Sequence, residues 1–274
     1  MQLANRVCLI TGASGVIGGA IARRFQEEGA FLALTYCSRK QGNGETGAEP
    51  YNEKVFQISL DIRVRENVAE VIKQVTARFG TIDVLVNCTG ILGPIGPTSS
   101  VVEDDWVRAV ETNLFGSFYL TRAVLPVMLT QSMGKIIHFS GGGAAYARPY
   151  YSAYSTSKAA LVRFTESLAE ELREAHIDIN TIAPGAVNSR MWDQVRALQD
   201  PDPKTAEEIR KMEETGGVPP DRAADLAVFL ASDRSNGLTG RLISAVWDDW
   251  RALDQRIPEV MNSDAGTLRR VPLG

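Results

Sequence analysis

The sequence predicts an α/β protein in which one parallel sheet carries helices on both faces. Short apolar segments rich in β-branched residues alternate along the chain with longer segments of helical periodicity. Neither an internal repeat nor an interdomain linker interrupts this alternation. The length of 274 residues, 44% of them hydrophobic, is sufficient for one large domain with a substantial core. We therefore expect a single doubly wound domain.

The individual elements follow from the spacing of the apolar residues. Apolar runs predict strands at Val7–Ile10, Phe31–Thr35, Val55–Ser59, Val84–Val86, Lys135–Phe139, Asp178–Ile182 and Leu242–Val246. Residues three and four apart predict helices at Ile17–Glu28, Glu66–Phe79, 104–130, 153–174 and Ala223–Leu230. A polar, Gly-rich segment at 41–53 predicts a loop.

The remaining segments define the expected domain organisation. Residues 1–250 are expected to form the domain, and residues 251–274, which lack clear periodicity, a C-terminal tail. Residues 188–220, rich in Asp, Glu, Lys and Pro, lie between a strand and the last helix. Insertions of this kind often cover an active site, so this segment is a candidate substrate lid.

Charge and cysteine content limit the functional classes. A formal net charge of -4 leaves no basic surplus for a nucleic acid. Cys8, Cys37 and Cys88 are odd in number and lie in or beside apolar runs, which predicts reduced core thiols. Without a C-x-x-C motif, and with His138 and His176 as the only histidines, we expect no metal site. No apolar run approaches the roughly 20 residues of a membrane helix, and no targeting signal is visible, so we expect a cytoplasmic protein.

The first predicted strand runs directly into a glycine-rich turn that opens a helix. The turn reads Thr11-Gly12-Ala13-Ser14-Gly15-Val16-Ile17-Gly18. Glycines let the backbone approach a pyrophosphate, and the helix N-terminus supplies free N–H groups and a favourable dipole. The placement after the first strand strengthens an otherwise weak motif. We expect a dinucleotide phosphate site at Gly12, Ser14, Gly15, Val16, Ile17 and Gly18; the alternative is a plain tight turn.

The end of the second predicted strand bears on the choice between NAD and NADP. An acidic residue there would bind the adenosine ribose and favour NAD. The position holds Tyr36 instead, and Arg39 and Lys40 follow closely. Their charge suits a 2′-phosphate, which favours NADP. The alternative is that both are solvated loop residues and that the cofactor is NAD.

The candidate reaction centre is the pair Tyr154 and Lys158, at the start of a predicted helix. Residues four apart share a helix face, so the Lys158 ammonium is expected near the Tyr154 hydroxyl. A tyrosine has a pKa of about 10, and a nearby cation favours its phenolate. Such a tyrosine can exchange a proton with a carbonyl or alcohol oxygen. Alone, the pair is equally compatible with two surface residues one turn apart.

Taken together, these motifs resemble the short-chain dehydrogenase/reductase family, of the classical type, over roughly residues 3–246. The resemblance implies a single-domain Rossmann fold and NAD(P)-dependent transfer of hydride between the cofactor and a carbonyl/secondary alcohol pair. The matching features occur in the family's order, and they are Thr11–Gly18, Asp61, Asn87-Cys88-Thr89-Gly90, Asn113, Ser140, Tyr154, Lys158 and Pro184-Gly185.

The resemblance also implies a role for each position. Tyr154 would be the general acid/base, Lys158 would lower its pKa and hold the nicotinamide ribose, and Asn113 would position a proton-relay water. Ser140 would hydrogen-bond the substrate oxygen. The remaining cofactor contacts are expected at Asp61 and Ile62 for the adenine, Asn87 and Gly90 for the adenosine ribose, and Pro184, Gly185, Val187 and Ser189 for the carboxamide.

The sequence departs from the family pattern at several of these positions. The middle glycine is Gly15, a spacing more similar to the extended branch of epimerases and dehydratases. The catalytic serine usually precedes the tyrosine by thirteen residues, where this chain has Gly141, so Ser140 takes the role only if the following glycine run bulges. Otherwise Ser152 or a nearby tyrosine fills it, or the position is vacant. Trp247 and Trp250 replace compact glycines near the end of the domain, where they either line an interface or anchor the tail.

Two further hypotheses therefore stand beside the dehydrogenase. One is a sugar-nucleotide epimerase or dehydratase with bound NAD, and the other is a catalytically reduced nucleotide-binding scaffold. The substrate is not indicated, since the candidate lid carries both charges. The resemblance implies a homodimer or homotetramer formed through the helices near 104–130 and 153–174.

Overall fold

The computed structural model describes residues 1–37 and 53–273 of the chain. Its centre is a seven-stranded parallel sheet with the strand order β3-β2-β1-β4-β5-β6-β7. The strands are β1 (Val7–Thr11), β2 (Phe31–Tyr36), β3 (Val55–Ser59), β4 (Val84–Asn87), β5 (Gly134–Phe139), β6 (Ile177–Ala183) and β7 (Leu242–Ser244). The order reverses between β1 and β4, and ligands of such sheets bind at the carboxyl ends beside this point.

Helices cover both faces of the sheet. They are α1 (Val16–Glu27), α2 (Arg65–Phe79), α3 (Glu103–Val110), α4 (Gly116–Gln131), α5 (Ser152–Glu171), α6 (Arg190–Arg196), α7 (Pro203–Thr215), α8 (Pro220–Ala231) and α9 (Ile257–Met261). One apolar core lies under α1 and α8, and the other under α2, α4 and α5.

Strand alternation explains how one sheet supplies both cores. Along β1, Cys8 and Ile10 belong to the α1/α8 core, whereas Val7 and Leu9 belong to the opposite core. Successive side chains of a strand point to opposite faces, and every residue of β1 is buried. The prediction of a doubly wound parallel sheet with helices on both faces is confirmed.

The predicted helix at 104–130 is interrupted. Between α3 and α4 the backbone forms a π-helical turn, Glu111–Phe115, which contains Asn113. Such turns are rare and occur frequently at functional sites. The other predicted helices appear with small differences at their ends, and the last predicted strand stops at Ser244 because the Ser244 hydroxyl accepts the N–H groups of Val246 and Trp247.

The candidate lid segment, 188–220, contains the two helices α6 and α7, which the sequence analysis left unassigned. The start of α7 carries recognisable signals, since Asp202 caps it by accepting the N–H groups of Lys204 and Thr205, and Pro203 is its first residue. Gly216 ends it in the left-handed conformation. The predicted loop at 41–53 lies, apart from Glu53, outside the described residues.

The C-terminal tail packs back onto the domain. The Arg241 guanidinium donates to the carbonyls of Ser263 and Ala265, and the Leu242 N–H at the edge of β7 donates to the Gly266 carbonyl at 2.7 Å. Trp250 is buried, with its ring centroid 6.1 Å from that of Phe229. For Trp250, the interpretation as an anchor of the tail fits the structure.

The cysteines and helices bear on two other predictions. All three cysteines are free thiols. Cys8 is buried and Cys88 half-buried, but Cys37 is exposed, so the prediction of core thiols is wrong for Cys37. Across residues 1–37 and 53–273, no helix has both the length and the apolar character needed to cross a membrane.

Candidate active site

The glycine-rich turn lies at the carboxyl end of β1, beside the reversal of strand order. Gly12 has a positive φ of 66°, a conformation that glycine adopts without steric cost. A Cβ on Gly18 would lie 2.3 Å from the Gly12 carbonyl oxygen, so only glycine fits there. α1 then begins at Val16, with Gly15 as an N-cap that provides no side-chain hydrogen bond. The turn is thus a tight backbone cradle facing unsatisfied helical N–H groups.

The segment after β4 forms the adjoining wall of the site. Asn87 is buried and joins β1 to α4, because its amide oxygen accepts the Thr11 hydroxyl and its amide nitrogen donates to Ser117. A Cβ on Gly90 would lie 3.1 Å from the Asn113 amide oxygen and 3.2 Å from the Lys158 Nζ atom. Gly90 therefore lets the backbone approach Asn113 and Lys158 closely.

Asn113 is fully buried in the π-helical turn. Its amide nitrogen donates to the Ile91 carbonyl at 2.9 Å and to Ser157 at 3.0 Å, and its amide oxygen accepts the Ile91 N–H at 2.9 Å. The side chain thus fixes the segment after β4 against α5. These contacts engage both ends of the Asn113 amide with protein groups, and Gly90 brings Asn113 and Lys158 close to the same point of backbone.

Tyr154 and Lys158 lie on the same face of α5, and both are buried. The Lys158 Nζ atom is 5.8 Å from the centroid of the Tyr154 ring and donates to the Phe139 carbonyl at 2.8 Å. Burial lowers the pKa of Lys158 to about 8. The ammonium form therefore still predominates at neutral pH.

The pKa of Tyr154 differs from the sequence-based expectation. Burial raises the pKa of Tyr154 to about 12, and the charge that acts in the opposite direction is that of Arg148. The protein groups alone therefore do not lower the Tyr154 pKa below its usual value, as was expected from Lys158. The positive charge that opposes the effect of burial belongs to Arg148, which lies in the loop before α5.

The glycine run after β5 explains the displaced serine. A Cβ on Gly141 would lie 2.1 Å from the Tyr154 hydroxyl oxygen, so the hydroxyl occupies the space that a side chain at residue 141 would need. Ser140 is buried at the cavity wall, and within the described chain its hydroxyl has no hydrogen-bond partner. Ser152, the alternative, is engaged by Trp106 and Thr98.

Other residues predicted to contact the adenosine lie at the end of β2 and just after β3. Tyr36 is buried, and its hydroxyl donates to Gln57 of β3 at 2.6 Å. Asp61 forms a bidentate pair with Arg63 that holds the carboxylate pKa below its usual range. Ile62 is buried and packs where a side chain at Gly116 would lie. Arg39 and Lys40, the predicted 2′-phosphate ligands, lie outside the described residues.

The segment after β6 closes the opposite side. Gly185 has a positive φ of 81°, and a Cβ there would lie 2.7 Å from the Val246 side chain. Val187 is buried and pairs with Gly217 beyond α7, while Ser189 is the N-cap residue of α6. This segment therefore connects the sheet to the candidate lid.

A cavity of about 750 Å³ joins these parts. Its walls include ten of the predicted site residues or their neighbours, namely Ile17, Cys88, Gly90, Ser140, Tyr154, Lys158, Pro184, Gly185, Val187 and Ser189. Its lining is mostly apolar and includes Leu92, Met191, Trp192, Val195, Met212 and Val246. The structure thus brings the predicted reaction centre and the candidate lid around one space.

Sequence reasoning missed several groups that line this cavity. Arg148 and Tyr146 lie in the loop before α5, and Glu208 lies on α7. Trp247 lies at the rim with 84% of its surface exposed, unlike the buried Trp250. No local motif marks Arg148 or Glu208, because they meet only when α7 folds onto the loop. Among the described residues, no cluster of His, Cys, Asp and Glu is arranged to hold a metal ion.

Comparisons with known proteins agree with this geometry. The profile of a family described as enoyl-(acyl carrier protein) reductase matches residues 12–245. The 3-oxoacyl-(acyl-carrier-protein) reductase of Thermotoga maritima is 33% identical over 246 residues, which cover 89% of this chain and 97% of the relative.

Solved structures of reductases superpose on most of this chain. Levodione reductase superposes with a TM-score of 0.79 at 29% identity, over 88% of this chain and 96% of that chain. An actinorhodin polyketide ketoreductase with NADPH superposes with a TM-score of 0.77 at 28% identity, over 88% of this chain and 95% of that chain.

Proposed function

The chain belongs to the short-chain dehydrogenase/reductase family of NAD(P)-dependent oxidoreductases, and from that premise we propose that it reduces a ketone, or oxidises the matching secondary alcohol, with Tyr154 as the acid/base. The observation that carries this proposal is the position of the Tyr154 hydroxyl. It lies at the cavity wall, against Gly141 and one helical turn from Lys158.

The residues at the carboxyl edge of the sheet fit a nicotinamide dinucleotide. Gly12 and Gly18 let the turn pack tightly at the start of α1, because a side chain at either position would meet neighbouring backbone. The N–H groups at this helix start are then available to a pyrophosphate. Asn87 and Gly90 would contact the adenosine ribose, Lys158 would hold the nicotinamide ribose, and Pro184 to Ser189 would contact the carboxamide. When bound, the nicotinamide supplies or accepts the hydride.

Tyr154 moves the proton that accompanies the hydride. In the reductive direction the buried hydroxyl donates to the carbonyl oxygen while negative charge develops there, and in the oxidative direction its phenolate accepts the alcohol proton. Because burial raises the pKa of Tyr154 to about 12, the protein holds the hydroxyl protonated and ready to donate. Lys158 adds a positive charge beside this centre, and Asn113 fixes the neighbouring backbone.

Ser140 is our candidate for the donor to the substrate oxygen. Its hydroxyl is buried, and in the described chain no protein group engages it. A buried hydroxyl without a partner is unfavourable, and a ligand oxygen would relieve it. The glycines that follow provide the backbone freedom needed to turn it toward Tyr154.

The lid segment 188–220 is proposed to cover the substrate. Residues of α6 and α7 line the cavity, whose walls are mostly apolar. An apolar ketone therefore fits this space better than a sugar nucleotide, whose many hydroxyl and phosphate groups need polar partners. We also propose that the protein is cytoplasmic and forms a homo-oligomer. The oligomer is supported by exposed apolar residues in the π-helical turn and along α4, namely Phe115, Phe118 and Leu129.

The test combines cofactor binding with turnover. Titration with NADPH and NADH, followed by nicotinamide fluorescence, is expected to show binding to both the wild type and Tyr154→Phe. Reduction of a panel of apolar ketones is expected to fall by a factor of about 10²–10⁴ in Tyr154→Phe, since that is the usual contribution of a general acid. Unchanged turnover in this variant contradicts the proposed role.

The same titration decides the cofactor. We propose NADP, because Tyr36 leaves no acid at the end of β2 and Arg39 and Lys40 follow it. NADPH is expected to bind at least tenfold more tightly than NADH, and Arg39→Gln is expected to remove most of the difference. A preference for NADH in the wild type would replace NADP by NAD without changing the enzyme class.

A further inference from the structure

The Tyr154 hydroxyl and the Arg148 guanidinium lie against consecutive glycines. A Cβ on Gly141 would meet the Tyr154 hydroxyl oxygen at 2.1 Å, and a Cβ on Gly142 would meet the Arg148 Nη1 atom at 3.3 Å. The phenol and the cation therefore lie beside adjacent residues of the glycine run. Both side chains line the same cavity.

Arg148 is held in place by contacts from two sides. Its guanidinium carbon lies 3.9 Å from the centroid of the Tyr151 ring, and its Nη2 atom donates to the Glu208 carboxylate of α7. The side chain is only 14% exposed. Its charge therefore acts through a medium that screens it less than water does.

The link to α7 is reinforced by neighbouring groups. The Tyr151 hydroxyl is 3.4 Å from the Thr205 hydroxyl, and the Lys204 ammonium lies 5.4 Å from the centroid of the Tyr146 ring. The loop before Tyr154 is thus attached to the first two turns of α7. Docking of α7 places the Glu208 carboxylate on Arg148.

The other charged or titratable groups facing Tyr154 come from each element around the cavity. Lys158 on α5 is turned to the Phe139 carbonyl, and Cys88 after β4 has a pKa raised by burial and stays neutral. The remaining groups, Lys211 on α7, Asp248 after β7 and the phenol of Tyr146, line the cavity. Arg148 is the cation whose charge counteracts the effect of burial on the Tyr154 pKa.

We propose that Arg148 is a positioning residue for proton transfer at Tyr154, and that Glu208 of α7 limits how much of its charge reaches the phenol. This rests on the proposed acid/base role of Tyr154. Arg148 favours the phenolate, which the oxidative direction needs, and the Glu208 carboxylate partly cancels this field. In this way α7, a helix of the candidate lid, controls proton transfer at Tyr154, which lies on α5.

The proposal predicts shifts in opposite directions. Removing the cation in Arg148→Gln raises the Tyr154 pKa, and removing its counter-charge in Glu208→Gln lowers it. Each shift is expected to be about 0.5 to 1 pH unit, as for a partly buried neighbouring charge. Alcohol oxidation requires the phenolate, so its kcat/KM is lost as pH falls through this pKa. The midpoint therefore moves up in Arg148→Gln and down in Glu208→Gln.

Two readouts test these shifts. The first is the pH profile of kcat/KM for oxidation of the alcohol whose ketone is reduced fastest in the panel above. The second needs no turnover: the tyrosine Cζ carbons are labelled with ¹³C, and the Tyr154 signal is identified by its absence in Tyr154→Phe. On raising the pH, that signal is expected to begin moving earliest in Glu208→Gln and latest in Arg148→Gln.

Matched variants separate charge from packing. Glu214→Gln neutralises another carboxylate of α7, 3.9 Å from Arg210 and away from the cavity, and is expected to leave both readouts unchanged. Arg148→Lys keeps the charge and is expected to restore most of the wild-type midpoint. Thermal unfolding reports whether each variant is folded, and if Arg148→Gln is not, Glu208→Gln and Arg148→Lys decide.

The outcomes distinguish this inference from the proposed function. Shifts in the same direction, or none larger than that of Glu214→Gln, overturn the role of Arg148 while a loss of turnover in Tyr154→Phe leaves the acid/base role standing. Full turnover in Tyr154→Phe removes the proposed function itself.

Discussion

The two walls of the cavity are held by different kinds of contact. On the cofactor wall, backbone meets backbone: Gly18 packs so closely on the Gly12 carbonyl that an added Cβ would lie 2.3 Å from it. On the substrate wall, side chains from distant segments meet, as Arg148 does with Glu208 sixty residues later. The first wall is built from the turn between β1 and α1 and the backbone after β4, whereas the second requires α7 to dock.

This difference implies that the two walls serve different functions. Close backbone packing tolerates almost no change in side-chain volume. Side-chain ion pairs and stacked rings contribute less and can be exchanged, so the substrate wall can open. Cofactor affinity and turnover should therefore respond to separate sets of residues.

The largest effect in this comparison is expected for Ser140→Ala, which tests whether residues on the substrate side of the cavity control turnover. Ser140→Ala removes a buried hydroxyl, and by analogy with loss of an oxyanion donor we expect kcat to fall by a factor of about 10²–10³. The dissociation constant for NADPH, from nicotinamide fluorescence, should stay unchanged. Ser152→Ala is the control, because that hydroxyl is engaged by Trp106 and Thr98. A larger loss in Ser152→Ala would transfer the role to Ser152.

An intermediate effect is expected on the cofactor wall. Gly18→Ala forces backbone apart, which should weaken NADPH binding by at least about tenfold and destabilise the fold by about 1–3 kcal/mol. Gly15→Ala is a graded comparison, since its Cβ would lie 3.2 Å from the same Gly12 oxygen. Calorimetric melting and the fluorescence titration measure both quantities. Unchanged affinity for NADPH in Gly18→Ala would contradict the proposed phosphate site at this turn.

The smallest effect is expected at the rim. Trp247→Ala should change the KM for an apolar ketone by only a few-fold, and thermal stability by less than about 0.5 kcal/mol, because the indole is exposed. Trp250→Ala, by contrast, empties a site packed on Phe229 and should cost about 3 kcal/mol or more. If Trp247→Ala melts like Trp250→Ala, Trp247 is structural.

The same contrast explains what could be predicted from the sequence. The strands and the glycine turn follow from local rules, namely apolar runs, glycine freedom and the order of the motifs. The spacing of Tyr154 and Lys158 placed both on one helix face, where the structure has them. These features depend on residues close together in the chain.

What the sequence left open depends on contacts between distant residues. The π-helical turn at Asn113 is stabilised by Ile91 and Ser157, and helical periodicity alone does not reveal it. Burial raises the pKa of Tyr154 and Arg148 acts against this rise. The sequence did not predict this, because no pattern shows how deeply the phenol is covered. α7 had readable caps in Asp202, Pro203 and Gly216, and its polar composition concealed them.

The seam between the tail and β7 bears on how the chain is synthesised. Because the Leu242 N–H is paired by the Gly266 carbonyl, the outer strand of the sheet gains this hydrogen bond only after residues up to 266 have left the ribosome. Until then β7 is an open edge, the kind of surface on which nascent chains stick to one another. A fusion joined after Leu268 should therefore express better than one joined after Ser244, because only the longer chain contains the segment that covers this edge.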